Sequence, residues 1–132
     1  MFETKVSEAV AQQEVENLLD LKGIFPKQRQ RIAPASEAVV EAISLGLVVI
    51  NADGSIKQTL FKKTSTLTEI NYKARVSPTE IAQLQRQTKN ADPVTARLMT
   101  HIRASASVTE AEVNELEPQD RNITEAIALF FM

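Results

Sequence analysis

The chain contains one histidine, His101, and no cysteine. His101 stands four residues after Arg97 and two before Arg103 in a helical pattern, and a zinc-type site needs further imidazole or thiolate ligands that the sequence lacks. It reads as a surface or packing residue. Serines and threonines are plentiful, but most of those in structured stretches sit at caps, and a nucleophile needs a base and an orienting group that the sequence does not offer. The carboxylate pairs Glu110 with Glu112 and Glu115 with Glu117 stand at helix starts and exposed positions. Favourable charge at a helix N-terminus accounts for them without a sugar or a metal. The three glycines, Gly23, Gly46 and Gly54, each have a turn or cap role and are too far apart to cradle a phosphate. These patterns predict no catalytic residue, no cofactor and no metal, and leave binding as the chemistry to explain.

The elements follow from caps and periods. Ala11, Val15, Leu18 and Leu19 recur at helical spacing and Gly23 offers a left-handed stop, so residues 6–22 read as an amphipathic helix with a narrow stripe. IFPKQRQRIAPAS has two prolines and a run of cations and reads as an irregular basic connector. Ser36 is the expected cap of a second helix with Val39, Val40 and Ile43 on its apolar face, stopped at Gly46. LVVI, then NADGS with its Asp-Gly pair, then IKQTLF predict a hairpin. Thr68, Ile70, Tyr72, Ala74 and Val76 alternate with polar residues, adding a third antiparallel strand that is wet on one face.

Beyond Val76 the pattern is helical. Ser77-Pro78-Thr79-Glu80 combines an N-cap, a first-turn proline and a capping-box glutamate, with Val76 and Ile81 placed to staple across it. Asp92-Pro93 opens a helix striped by Val94, Leu98, Met99 and Ile102. Thr109 to Glu112 is a second capping box, flanked by Val108 and Val113. Pro118 opens a closing helix whose Ile123, Ala126, Ile127, Phe130 and Phe131 form an apolar face. The fold class expected is α+β: a small antiparallel β-meander or hairpin followed by a cluster of about four α-helices, with an N-terminal amphipathic helix. Residues 1–35 form the helix and connector, and residues 36–132 the α+β domain.

At 132 residues the chain can bury about two-thirds of the surface its unfolded form exposes. The lack of cysteine permits a reducing, intracellular setting. No apolar run approaches the roughly 20 residues a spanning helix needs, and MFETKVSEAV lacks the basic flank and apolar run of a secretory signal. The net charge of −2 is unevenly laid out. Lys62 to Arg103, with Lys89 among its cations, carries an excess of five positive charges, and Ala104 onward an excess of five negative ones. The plain reading is that the halves complement one another or lie on solvated faces. A basic face for an acidic partner, nucleic acid included, is the sharper one, though Tyr72 is the only aromatic in that stretch and makes no stacking platform.

From Ser36 onward the chain resembles the small tail assembly chaperones of long-tailed bacteriophages. The likeness rests on INADGSIKQTLFKK as a hairpin, LTEINYKARVSPTEI as a strand running into a capped helix, DPVTARLMTHI as a helix, and above all SVTEAEVNELEPQDRNITEAIALFF. In that closing pattern a short helix ending in Leu leads, through Asp, into a helix finishing on Phe, here Leu116, Asp120, Ile123, Ile127, Phe130 and Phe131. The resemblance implies a non-enzymatic protein that binds the tape-measure protein, the tail-tube protein or both in the host cytoplasm, keeps apolar helical surface covered until the tube polymerises, and is absent from the finished virion. It also implies a longer product made by frameshifting near the end of this frame. Partner contact is expected through Leu116, Ile127, Phe130 and Phe131, with core packing favoured for Leu116 and Ile127. Self-association is left open. Adjacent helix residues diverge by about 100 degrees, so one phenylalanine is expected to face outward. The other readings are a virion connector or tail-completion protein, and a small DNA-binding regulator.

Overall fold

The computed structural model describes residues 3–87 and 92–132. Met1, Phe2 and Lys89, the last counted above in the basic segment, lie outside the described residues. Helix α1 (Glu8–Leu21) is capped by the Ser7 hydroxyl, which accepts the Val10 N–H. It ends where Gly23 turns left-handed, with φ +69. There Gly23 N–H reaches Asp20 O and Ile24 N–H reaches Leu19 O, closing a Schellman motif whose apolar pair, Leu19 and Ile24, is buried. Helix α3 (Ala33–Ser44) ends the same way at Gly46, with Leu47 N–H donating to Ala42 O.

The segment between them is helical, which corrects the expected irregular connector. Helix α2 (Pro26–Arg31) fills it, and α3 begins three residues before the expected cap, so that Ser36 lies inside the helix and donates its N–H to Ile32 O. The physical reason is positional. Pro26 and Pro34 both occupy first turns, where a missing N–H breaks no helical bond. The boundary expected between residues 35 and 36 therefore falls within α3, and α1 packs along that helix. Lys5 N–H donates to Ser44 O and the Ser44 hydroxyl to Val6 O, which sets the start of α1 beside the end of α3, so the two run antiparallel.

Strands β1 (Val48–Ile50), β2 (Ile56–Thr59) and β3 (Glu69–Tyr72) form an antiparallel sheet in sequence order. The register pairs Ile50 with Ile56, and Ile56 in turn with Tyr72. Alternation puts Val48, Ile56, Gln58, Ile70 and Tyr72 on the buried face and Val49, Lys57 and Asn71 on the exposed one. The hairpin closes through Asn51, whose N–H donates to Ser55 O, and Gly54, which holds φ +93 and would bring an added Cβ within 3.0 Å of the Leu21 side chain.

Helices α4 (Pro78–Gln87), α5 (Pro93–Ala106), α6 (Glu110–Asn114) and α7 (Pro118–Ala128) follow, and a 3-10 turn covers Leu129–Phe131. The Asp92 carboxylate caps α5 by accepting the Val94 N–H, and Thr109 with Glu112 makes both bonds of a capping box. At α4 the Ser77 hydroxyl accepts the Thr79 N–H, while Glu80 pairs with Lys73 at 3.0 Å. The observed architecture is α+β, a three-stranded antiparallel meander with, among the described residues, three α-helices before it and four after it. Helix α7 is the hub: it packs on α3 and α5 and reaches the buried face of the sheet. Ala126, Ile127 and Ala128 are all buried, and three consecutive residues span about 200 degrees of a helix, so α7 is enclosed well beyond a single face. One apolar cluster runs from Ala11 and Leu18 on α1 through Val39, Ile56 and Met99 to Ile127 and Phe130.

Candidate protein-binding surfaces

The side chains expected to meet a partner are mostly spent on this core. Leu116 is 6% exposed, Ile127 0% and Phe130 4%. In the folded chain these three are closed to contact. Phe131 diverges from Phe130 as helical geometry requires and remains half-buried. Its ring carries the Lys22 ammonium 3.9 Å from the centroid, a cation–π contact, and the same ammonium donates to Ala74 O at 3.2 Å. Burial holds the Lys22 amine below its ordinary pKa, and the nearby Arg75 charge adds to that shift. Lys22 thus ties the end of α1 both to the segment after β3 and to Phe131, whose ring is only partly available to anything else.

Beneath the sheet lies a polar network that sequence reading missed. Gln58 points inward between Ile56 and Leu60 and is fully buried. Its amide N–H donates to Asp120 O at 3.1 Å, and its carbonyl accepts the Tyr72 hydroxyl at 2.5 Å and the Thr124 hydroxyl at 2.9 Å. Burial pushes the Tyr72 phenol well above its ordinary pKa, against a smaller opposing effect from Thr124, so the ring stays a neutral donor. The buried Asp120 carboxylate accepts the Phe61 N–H at 2.8 Å and the Lys62 N–H at 2.9 Å, pinning the β2–β3 loop to the start of α7. The network joins sheet, loop and hub helix. Period-two register in IKQTLF was the available signal, since Gln58 shares a side with Ile56 and Leu60.

An open concavity lies elsewhere. A groove of about 790 Å³ runs between the antiparallel α1 and α3. Its floor includes Val15 and Leu19 from α1 with Val40 and Leu45 from α3, the last two half-buried. Exposed Glu8 and Glu16 stand on the α1 wall and exposed Glu37 and Glu41 on the α3 wall. None of the four takes part in an ion pair among the described residues. The groove's cation, Arg29, is already committed to Asp20 and to Ile24 O, both at 2.6 Å. Spacing shows why the walls form. Glu37 and Glu41 are four apart and Glu8 and Glu16 eight apart, so each pair lies along one side of its helix, next to the apolar stripe. The narrow stripe of α1 was legible in the sequence, but its pairing with α3 was hidden by reading α2 as a loop.

Other chemistry has little to build on among the described residues. No group of three His, Cys, Asp or Glu side chains is placed to hold a metal ion, and no helix is long and apolar enough to cross a membrane. His101 is buried, with Nδ1 2.8 Å from Arg97 O one turn earlier. Within the basic segment Lys73 is paired with Glu80, Arg103 is half-buried with its Nε unpartnered, and Tyr72 is sealed in the core. The chain matches no protein-family model, no curated protein and no solved structure.

Proposed function

We propose that this chain is a non-enzymatic assembly factor, a tail assembly chaperone of a long-tailed bacteriophage that binds the tape-measure protein, the tail-tube protein or both while the tail is built in the host cytoplasm. The observation that carries the reading is the contrast between a closed core and an open groove between two helices, walled by unpaired charge. Such a surface suits a protein ligand better than a small one, because its walls are exposed and widely spaced rather than convergent. The order of elements from α3 to α7 adds support, since it is the order on which the sequence resemblance rests. The DNA-regulator reading loses its one aromatic, because Tyr72 is 2% exposed.

The test is co-expression of the tagged chain with the tape-measure and tail-tube proteins of the same phage, followed by proteomics of purified mature particles. Retention of either tail protein together with absence of the chain from particles is the expected outcome. Presence in particles at a stoichiometric level would instead assign it as a connector or completion protein. Salt-sensitive retention on DNA with neither tail protein captured would favour the regulator.

A further inference from the structure

We infer that the α1–α3 groove receives one amphipathic helix of another protein, with cationic side chains on both flanks of its apolar stripe. The inference rests on the reading of this chain as a protein-binding factor and adds the site and the chemistry of the ligand. Four uncompensated carboxylates face one another across the groove, an arrangement that repels itself and attracts positive charge. Between them, half-buried Val40 and Leu45 offer apolar surface beside the polar Gln12, Ser36 and Ser44. Together they ask for a ligand that is apolar along one line and basic on either side of it, which is what a single helix presents.

The geometry sets the pattern. α1 has 14 residues, about 21 Å at 1.5 Å per residue, so an occupant of about four turns fills the groove. Glu37 and Glu41 are about 6 Å apart along α3, and Glu8 and Glu16 about 12 Å apart along α1. Complementary cations therefore fall at i and i+4 on one flank and at i and i+7 or i+8 on the other, with Leu- or Val-sized residues between.

A second copy of this chain does not offer that helix among its described residues. α2 is basic but has 6 residues, and its Arg29 already lines the groove. α4 carries one cation, Arg86, and the stripe of α5 from Met99 onward is buried in its own core. The occupant is a different protein.

The probe is a labelled 16-residue Leu/Ala/Lys peptide with that pattern, compared with a peptide of the same apolar stripe carrying Glu in place of Lys, titrated into the full chain at two salt concentrations. Wild type is expected to bind the Lys peptide, more weakly as salt rises, and to ignore the Glu peptide. Glu37→Lys with Glu41→Lys, which sets two ammonium groups against the two remaining carboxylates, should abolish the preference, lowering affinity for the Lys peptide by about tenfold. Glu110→Lys with Glu117→Lys, which changes net charge equally but lies away from the groove, should leave affinity within about twofold. Thermal melts confirm that both variants are folded. Equal binding of the two peptides, an equal effect of the control variant, or a dimer that Glu37→Lys with Glu41→Lys dissociates overturns the inference. Tail-protein capture that survives loss of peptide discrimination would refute the groove and leave the assembly role standing; peptide discrimination without tail-protein capture would do the reverse.

Discussion

Helices α7 and α4 carry the same marks in the sequence. Each has proline in its first turn, an acidic residue just after it, and apolar side chains at helical spacing. In the structure they have opposite fates. α7 is wrapped by α3, α5 and the sheet and buries Asp120, Thr124, Ala126, Ile127 and Ala128. α4 has no fully buried residue: Ile81 and Leu84 are half-buried, and its substantial packing is against α5 alone. Amphipathicity says that a helix has a face to cover, and is silent on what covers it. The greasy end of the chain invited a partner-binding reading because no local signal distinguishes a core face from a docking face. The deciding information is non-local, in small residues such as Ala42, Ala104, Ala126 and Ala128 that let helices approach closely around α7, and in the Gln58 network that anchors it to the sheet.

The largest effect expected from breaking this contrast comes from Asp120. Replacing it with Ala removes a buried acceptor from two backbone N–H groups, leaving both short of their partner. Charge-assisted bonds of this kind contribute about 1.5–3 kcal/mol each, so Asp120→Ala should cost about 3–5 kcal/mol in chemical denaturation, a large part of the stability of a domain this size. A loss under about 1 kcal/mol would mean that the loop is held by other contacts and that α7 is not the hub described.

The two terminal phenylalanines sharpen the comparison within a single turn. Phe130→Ala empties a core position and should cost about 3–4 kcal/mol. Phe131→Ala loses a half-buried ring and its contact with Lys22, and should cost about 1–2 kcal/mol. Denaturation midpoints of the two single variants, measured side by side, decide it. Comparable losses would mean that both rings are core, and a negligible loss at Phe131 would return that ring to the role of an exposed docking residue.

What local signals reveal is well defined here. The glycine stops of α1 and α3, the Thr109 capping box with Val108 and Val113 beside it, and the Asp-Gly hairpin are all contained within six residues, and each is present as read. Failures came where one residue has two meanings. Proline opens a helix as readily as it breaks one, so Pro26 and Pro34 concealed α2 and the true start of α3. Val94 continues a helical stripe in sequence yet is 75% exposed, because the first turns of α5 lie alongside α4, which has little core of its own. The acid-walled groove was the least legible feature, since it needs two helices brought together and then a search for charges that no neighbour neutralises.

The smallest effect belongs to α4 and tests the comparison most directly. Ile81→Ala removes at most part of a half-buried side chain, worth about 1 kcal/mol, while alanine improves helix propensity by a few tenths of a kcal/mol. The terms partly offset, so global stability should fall by about 0.5–1 kcal/mol, well short of the loss at Phe130. Native-state hydrogen exchange adds the second half of the measurement: amides of α4 should open at a free energy well below the global value, and those of α7 only with global unfolding. If Ile81→Ala lowers stability as much as Phe130→Ala does, α4 is part of the core and the contrast between the two helices is lost. If instead α4 opens locally in wild type and variant alike, its apolar stripe is a face that the fold leaves uncovered at little cost to the core beneath α7.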